Sequence, residues 1–172
     1  CPPWLFIIFL KKFTILITGC EKMKEKIYEF LRIFTPLILG GITSFFIKNA
    51  IDYSSLNKPI LSPPGFVFPI AWSILYLLMG IAYFIYRKDY NEKNVKIAYY
   101  LQLFLNLSWI FIFFVLKWYL LAIFWIIILL ATVFYCLLKF LESKKVAGYL
   151  FIPYLLWIIF ATYLTIGIYI LN

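Results

Sequence analysis

Five long apolar runs dominate this chain, and they decide its solvent. They cover about 27–48, 66–86, 97–116, 119–140 and 147–170, each near the ~20 residues a helix needs to cross a bilayer. Hydrocarbon offers no water to a bare peptide group, so runs of this length must be helical. The expectation is an all-α integral membrane protein, a single five-transmembrane-helix bundle over residues 23–172. Composition agrees, since 66% of the 172 residues are hydrophobic and only 13% charged. A water-soluble domain of this size needs more polar surface.

Residues 1–22 read differently. The chain opens on Cys1, and Met23-Lys24-Glu25-Lys26 looks like a natural basic start. Residues 1–22 are therefore expected to be upstream or mis-assigned N-terminal sequence. A competing reading takes Ile17-Thr18-Gly19-Cys20 as a lipobox with a lipidated Cys20, although the apolar stretch after Lys11-Lys12 is short.

Charge orients the bundle. The chain carries a net charge of +9, held in short connections between the apolar runs. Of its 16 Lys and Arg, all but Lys48, Lys58 and Lys117 fall on the N-terminal side. By the positive-inside rule the N-terminus is cytoplasmic, and five crossings put the C-terminus and the loop 49–65 outside. Within that loop Ser62-Pro63-Pro64-Gly65 cannot continue a helix. The basic residues read as topology signals and lipid contacts, with no basic helix or aromatic sheet motif for nucleic acid. Composition rich in Ile, Lys, Phe and Tyr fits an AT-rich genome, and the expected home is a prokaryotic cell membrane.

Several chemistries are excluded by residue type. There is no histidine, which removes histidine-ligated haem or metal and the usual general base. Cys1, Cys20 and Cys136 lack metal-ligand spacing, so no metal site is expected and no cofactor is required. Helices three, four and five have no Asp, Glu, Arg or Lys between their ends, which argues against an ion-coupled transporter.

Amide, phenol and indole groups remain. Gln102 and Asn106 share one face of helix three, with Trp109 one turn on. Buried amides in a membrane need partners from a neighbouring helix or from a ligand, and both readings stand. Helix two carries Trp72, Tyr76 and Gly80 at fourfold spacing; helix five carries Trp157, Ala161 and Thr165, with Tyr154 a turn before and Pro153 as a source of a kink. Such stripes serve packing or interfacial anchoring more often than ligands. Small residues beside large rings would nevertheless leave a slot for a flat molecule.

Several segments together resemble the translocator protein (tryptophan-rich sensory protein) family. The likeness is carried by Lys58-Pro59, Pro63-Pro64-Gly65, Trp72, Leu75-Tyr76 and Met79-Gly80, then by Gln102-Leu103, Leu105-Asn106, Trp109 and Phe113-Phe114. Pro153-Tyr154-Leu155-Leu156-Trp157 and Phe160-Ala161-Thr162-Tyr163-Leu164 complete it. The motifs run in order from about residue 30 to Asn172. The resemblance implies a five-helix bundle with a pocket at the end covered by the first long loop. Its ligands would be porphyrins such as protoporphyrin IX, or other flat apolar small molecules.

Tyr53, Trp72, Tyr76, Asn106, Trp157 and Ala161 match the family's pocket positions, and Gln102, Trp109 and Tyr154 join them as candidates. Lys58 is a candidate for the ligand's carboxylates. The implied role is that of a sensory receptor adjusting tetrapyrrole or stress responses. The alternatives are photo-oxidative porphyrin degradation through Trp72 and Trp157, or passive transport of an amphipathic ligand. A homodimer follows from the resemblance alone, because helix three has no Gly for GxxxG-type packing. The chain departs from the family in two places. Trp125 stands where the family often has an aspartate, and no Lys or Arg follows Leu164 and Tyr169 to complete a cholesterol-recognition pattern.

Overall fold

The computed structural model describes residues 23, 24, 26–48, 53 and 55–172; the reading of residues 1–22 lies outside them. The chain divides into two units, Cys1–Arg32 and Ile33–Asn172, and each is taken by itself. In the first unit residues 26–31 are helical, and Arg32 pairs with Glu29 one turn away.

The described residues contain five helical spans long and apolar enough to cross a membrane: Lys26–Ile47, Val67–Asp89, Lys93–Val115, Tyr119–Ser143 and Lys145–Leu171. The protein is an all-α integral membrane protein. Within the second unit α1 is Thr35–Ile47, α2 Val67–Asp89, α3 Lys93–Ile110, α4 Tyr119–Ser143 and α5 Lys145–Leu171. Half of the ends lie outside the apolar runs, with α2 passing 86 to reach Asp89 and α3 starting at Lys93 rather than 97. Hydropathy marks where the chain enters hydrocarbon, whereas helical hydrogen bonding continues into the polar layer. Arg87 and Lys88 in the last turn of α2 also suit the negative end of its dipole.

Local chemistry explains the punctuation. Pro36 has no N–H to donate to the turn before it, and the backbone tightens to a 3-10 turn over Arg32–Phe34. The Pro63-Pro64-Gly65 turn supplies carbonyls to the start of α2, with Val67 N–H donating to the Pro64 oxygen at 3.0 Å. Beyond α3 the helix widens into a π-helical stretch, Phe111–Val115, and Lys117 at φ 55° reverses the chain. Pro153 lies inside α5, which remains continuous around it.

Packing closes a ring of neighbours: α1 lies against α2, α2 against α5, α5 against α4, α4 against α3, and α3 touches α1. The α4–α5 hairpin is tight because Gly148 lacks a side chain where Leu141 packs. Asp89 at the end of α2 forms an ion pair with Lys144 ahead of α5. The interior is solid through the lower bundle, where Met79, Val95, Ile126, Val133, Phe140 and Phe151 are wholly buried.

Candidate functional site

At the end bearing the loop between α1 and α2 the interior opens into a cavity of about 890 Å³. A drug-sized ligand site falls in the range of about 300–1,000 Å³. Of the five helices, all but α4 contribute to the wall. Leu37, Gly40, Gly41 and Ser44 come from α1, Phe68, Trp72, Ser73 and Tyr76 from α2, and Trp157, Ala161 and Thr165 from α5. Trp109 from α3 and Phe113 and Phe114 from its π-helical extension close one side, and Tyr53, Lys58 and the 62–65 turn cover the top.

Several of the wall rings stand edge to face around the open space. Trp72 and Trp157 lie 6.3 Å apart at 84°, Phe68 and Trp157 6.2 Å apart at 73°, and Tyr53 meets Phe68 at 5.0 Å and 71°. Their planes make walls on which a flat π-system can lie, since aromatic rings favour offset or edge contacts. Lys48 and Lys58 bring positive charge to the rim. The Lys58 ammonium donates to the Tyr53 carbonyl at 3.1 Å and sits 4.8 Å from the Tyr53 ring centre.

Of the residues singled out from sequence, Tyr53, Trp72, Tyr76, Trp109, Trp157 and Ala161 line this cavity. Gln102, Asn106 and Tyr154 do not; they form a layer beneath it. Tyr76 donates its phenol to Asn106 Oδ1 at 2.6 Å, and Asn106 Nδ2 donates to the Tyr154 oxygen at 3.2 Å. Tyr154 then donates to Gln102 Oε1 at 2.7 Å, and Gln102 Nε2 reaches Met79 Sδ at 2.9 Å. Each group donates to the next, which satisfies buried amides in a medium without water. Three helices are tied together at that level, and Tyr76 belongs to both layers.

The gap expected at Gly80 is filled. A side chain there would strike the Ile33 carbonyl, so Gly80 admits the backbone ahead of α1 instead of a ligand. Gly40 likewise receives the Tyr76 ring. Stripe reasoning missed Phe68 and the α1 residues; the Gly40-Gly41 pair was their only visible signal. Four wall residues, Tyr53, Ser62, Trp109 and Trp157, carry a buried polar atom with no hydrogen-bond partner among the described residues. An ordered water or an acceptor on a bound molecule is the usual remedy.

The profile of the TspO/MBR family matches residues 32–171. The chain belongs to this family. It is 35% identical to the tryptophan-rich protein TspO of Archaeoglobus fulgidus over 144 residues, 81% of this chain and 94% of the relative. A tryptophan-rich sensory protein of Cereibacter sphaeroides is 34% identical over 120 residues, 70% and 76% of the two chains. The translocator protein homolog of Schizosaccharomyces pombe is 32% identical over 143 residues, 80% and 87%. The protein is thus a member of a family of membrane sensory and translocator proteins.

In this TspO/MBR member the structure gives the Trp125 indole a task. Trp125 Nε1 donates to Ser108 Oγ at 2.9 Å and to the Leu105 carbonyl at 3.2 Å, tying α4 to α3. Trp125 does not line the cavity.

Proposed function

We propose that this TspO/MBR protein is a receptor that binds porphyrins of the protoporphyrin IX type, and similar flat apolar molecules, in the cavity between its helices. The observation that carries the reading is the wall itself: two indoles, Trp72 and Trp157, meeting nearly at right angles across about 890 Å³ of space. A planar macrocycle stacks on one face and meets the other edge-on. Its carboxylates then fall toward the rim, where Lys48 and Lys58 stand. The cavity mouth faces away from the cytoplasm in this reading, because most Lys and Arg sit at the opposite end of the bundle.

Binding is tested by titrating the detergent-purified protein with protoporphyrin IX and following quenching of tryptophan fluorescence, beside the Trp72→Phe, Trp157→Phe double variant. Saturable quenching that weakens about tenfold in a folded double variant is expected, the shrinkage of two indole faces to phenyl rings together being worth over 1 kcal/mol. Quenching that never saturates in the native protein would reject the porphyrin reading. Illumination adds a second arm. Absorbance of the bound porphyrin that decays in light, and stops decaying when Trp157 becomes Phe, would convert the receptor into an enzyme.

A further inference from the structure

Among the described residues, the loop end of the cavity and its α1–α2 side differ. Over its top, the loop is fastened to the end of α5. The Asn57 N–H donates to Asn172 Oδ1 at 3.0 Å, and Asn172 Nδ2 returns a bond to the Asn57 carbonyl at 3.0 Å. Asn57 Nδ2 also donates to the Leu171 carbonyl at 3.2 Å. Next to this reciprocal amide pair the Pro59 ring seats on Gly167, where any side chain would displace it. Opening the top therefore breaks several bonds at once.

The side is another matter. Gly41, Ser44, Pro69 and Ser73 line the cavity and are exposed rather than covered by a neighbouring helix. A Cβ placed at Gly41 would meet nothing within 4 Å. Further down, the same seam is shut by the Tyr76 ring on Gly40 and by the Ile33 carbonyl on Gly80. Gly41 lies six residues before the end of α1 and Ser73 six after the start of α2. At 1.5 Å per residue both stand about 9 Å inside the helix ends, at hydrocarbon depth. The Ser73 hydroxyl is turned back onto its own helix, donating to the Pro69 carbonyl at 2.8 Å, so it offers little hindrance to an apolar molecule. The same cavity is lined by Trp109, a buried residue whose indole N–H has no partner among the described residues.

We propose that the ligand enters sideways from the bilayer, through a portal between α1 and α2 framed by Gly41, Ser44, Pro69 and Ser73. The inference rests on the porphyrin-binding reading and narrows it: the ligands are those already dissolved in lipid. A molecule that partitions into the leaflet reaches the portal without crossing water, and the fastened loop keeps the bound state dry.

The test uses the full chain in phosphatidylcholine nanodiscs, with protoporphyrin IX binding and release followed by stopped-flow tryptophan quenching. Gly41→Phe and Ser73→Phe place a ring in the opening, where there is room for it. A plug raises the barrier on the path, so association should slow about tenfold in both variants, whatever the added rings do to Kd as part of the wall. Asn172→Ala, which loosens the loop, should leave both rates near native values. Unchanged rates in both plugged variants would overturn the portal. So would a lost affinity without slower association, which marks a wall, or an Asn172→Ala variant in which both rates rise, which marks the loop as the door. Absence of saturable quenching in the native protein would remove the porphyrin reading and the portal together; native binding with unaltered plugged rates removes the portal alone.

Discussion

The two ends of the bundle use the same residue types to opposite effect. Away from the loop, Tyr83 and Tyr99 stack at 3.7 Å and 6°, Tyr86 lies 5.0 Å from Phe140, and Phe140 lies 5.0 Å from Phe151. All five rings are at most 3% exposed and leave no room between them. At the loop end Trp72, Trp157, Phe68 and Tyr53 meet edge to face around an open space. The difference lies in what faces the rings. In the filled half, large side chains oppose one another across α2, α3, α4 and α5. In the open half, the aromatic residues of α2 and α5 face Gly40, Gly41 and Ser44 of α1. An aromatic-rich interior becomes a site only where a facing helix withholds volume.

Between the halves runs the hydrogen-bonded layer of Tyr76, Asn106, Tyr154 and Gln102. It acts as a floor, so damage to one half should stay in that half. The strongest way to break this comparison is Phe140→Ala. The emptied space should cost about 3 kcal/mol of stability, the low end of the usual range because an unfolded helix in lipid still keeps its phenylalanine in hydrocarbon. Denaturation in mixed detergent would read the loss, and porphyrin affinity measured on the same sample should hold. An affinity loss matching that of the Trp72→Phe, Trp157→Phe variant would show that the halves are one unit.

A smaller effect is expected from Gly80→Val. Its side chain meets a backbone carbonyl at Ile33, which cannot swing aside as a side chain would. Overpacking of this kind costs about 2 kcal/mol. It should also pry α1 from α2, so faster porphyrin exchange is expected alongside the lower unfolding midpoint. Slower exchange would mean that the α1–α2 seam does not set the width of the opening.

The smallest effect is expected at the floor. Asn106→Leu leaves the Tyr76 phenol without its acceptor and the Tyr154 phenol without a donor. Membrane hydrogen bonds are individually modest, so the loss should be about 1 kcal/mol. Unfolding of the reconstituted protein measures it. A loss beyond that of Phe140→Ala would place the tie between helices, rather than ring packing, at the centre of stability.

Much of the candidate site was legible in the sequence, for a simple reason. Residues at fourfold spacing share a helix face, so Trp72 with Tyr76 and Trp157 with Ala161 were expected on common faces, and all four line the cavity. Periodicity could not separate Trp109, in the wall, from Gln102 and Asn106, in the layer below, although all three are on α3. Height within the bundle depends on how helices are staggered, which no single helix records. The same limit hid Phe68 and the open flank of α1, and it concealed that Gly80 would be occupied by the backbone at Ile33.

The sequence by itself determined the solvent, the number of crossings and the all-helical answer, because hydrocarbon forces every backbone group to be satisfied within its own segment. It also placed the loop break, since two consecutive prolines followed by Gly65 cannot continue a helix. Only the tertiary structure decided which aromatic rings would pack and which would stand apart. It paired Gly40 with Tyr76 and Gly80 with Ile33, fastened Asn57 to Asn172, and left Gly41 and Ser73 exposed at the cavity wall. Those outcomes depend on contacts between helices distant in the chain, whose stagger is set by the volume each side chain meets across the interface.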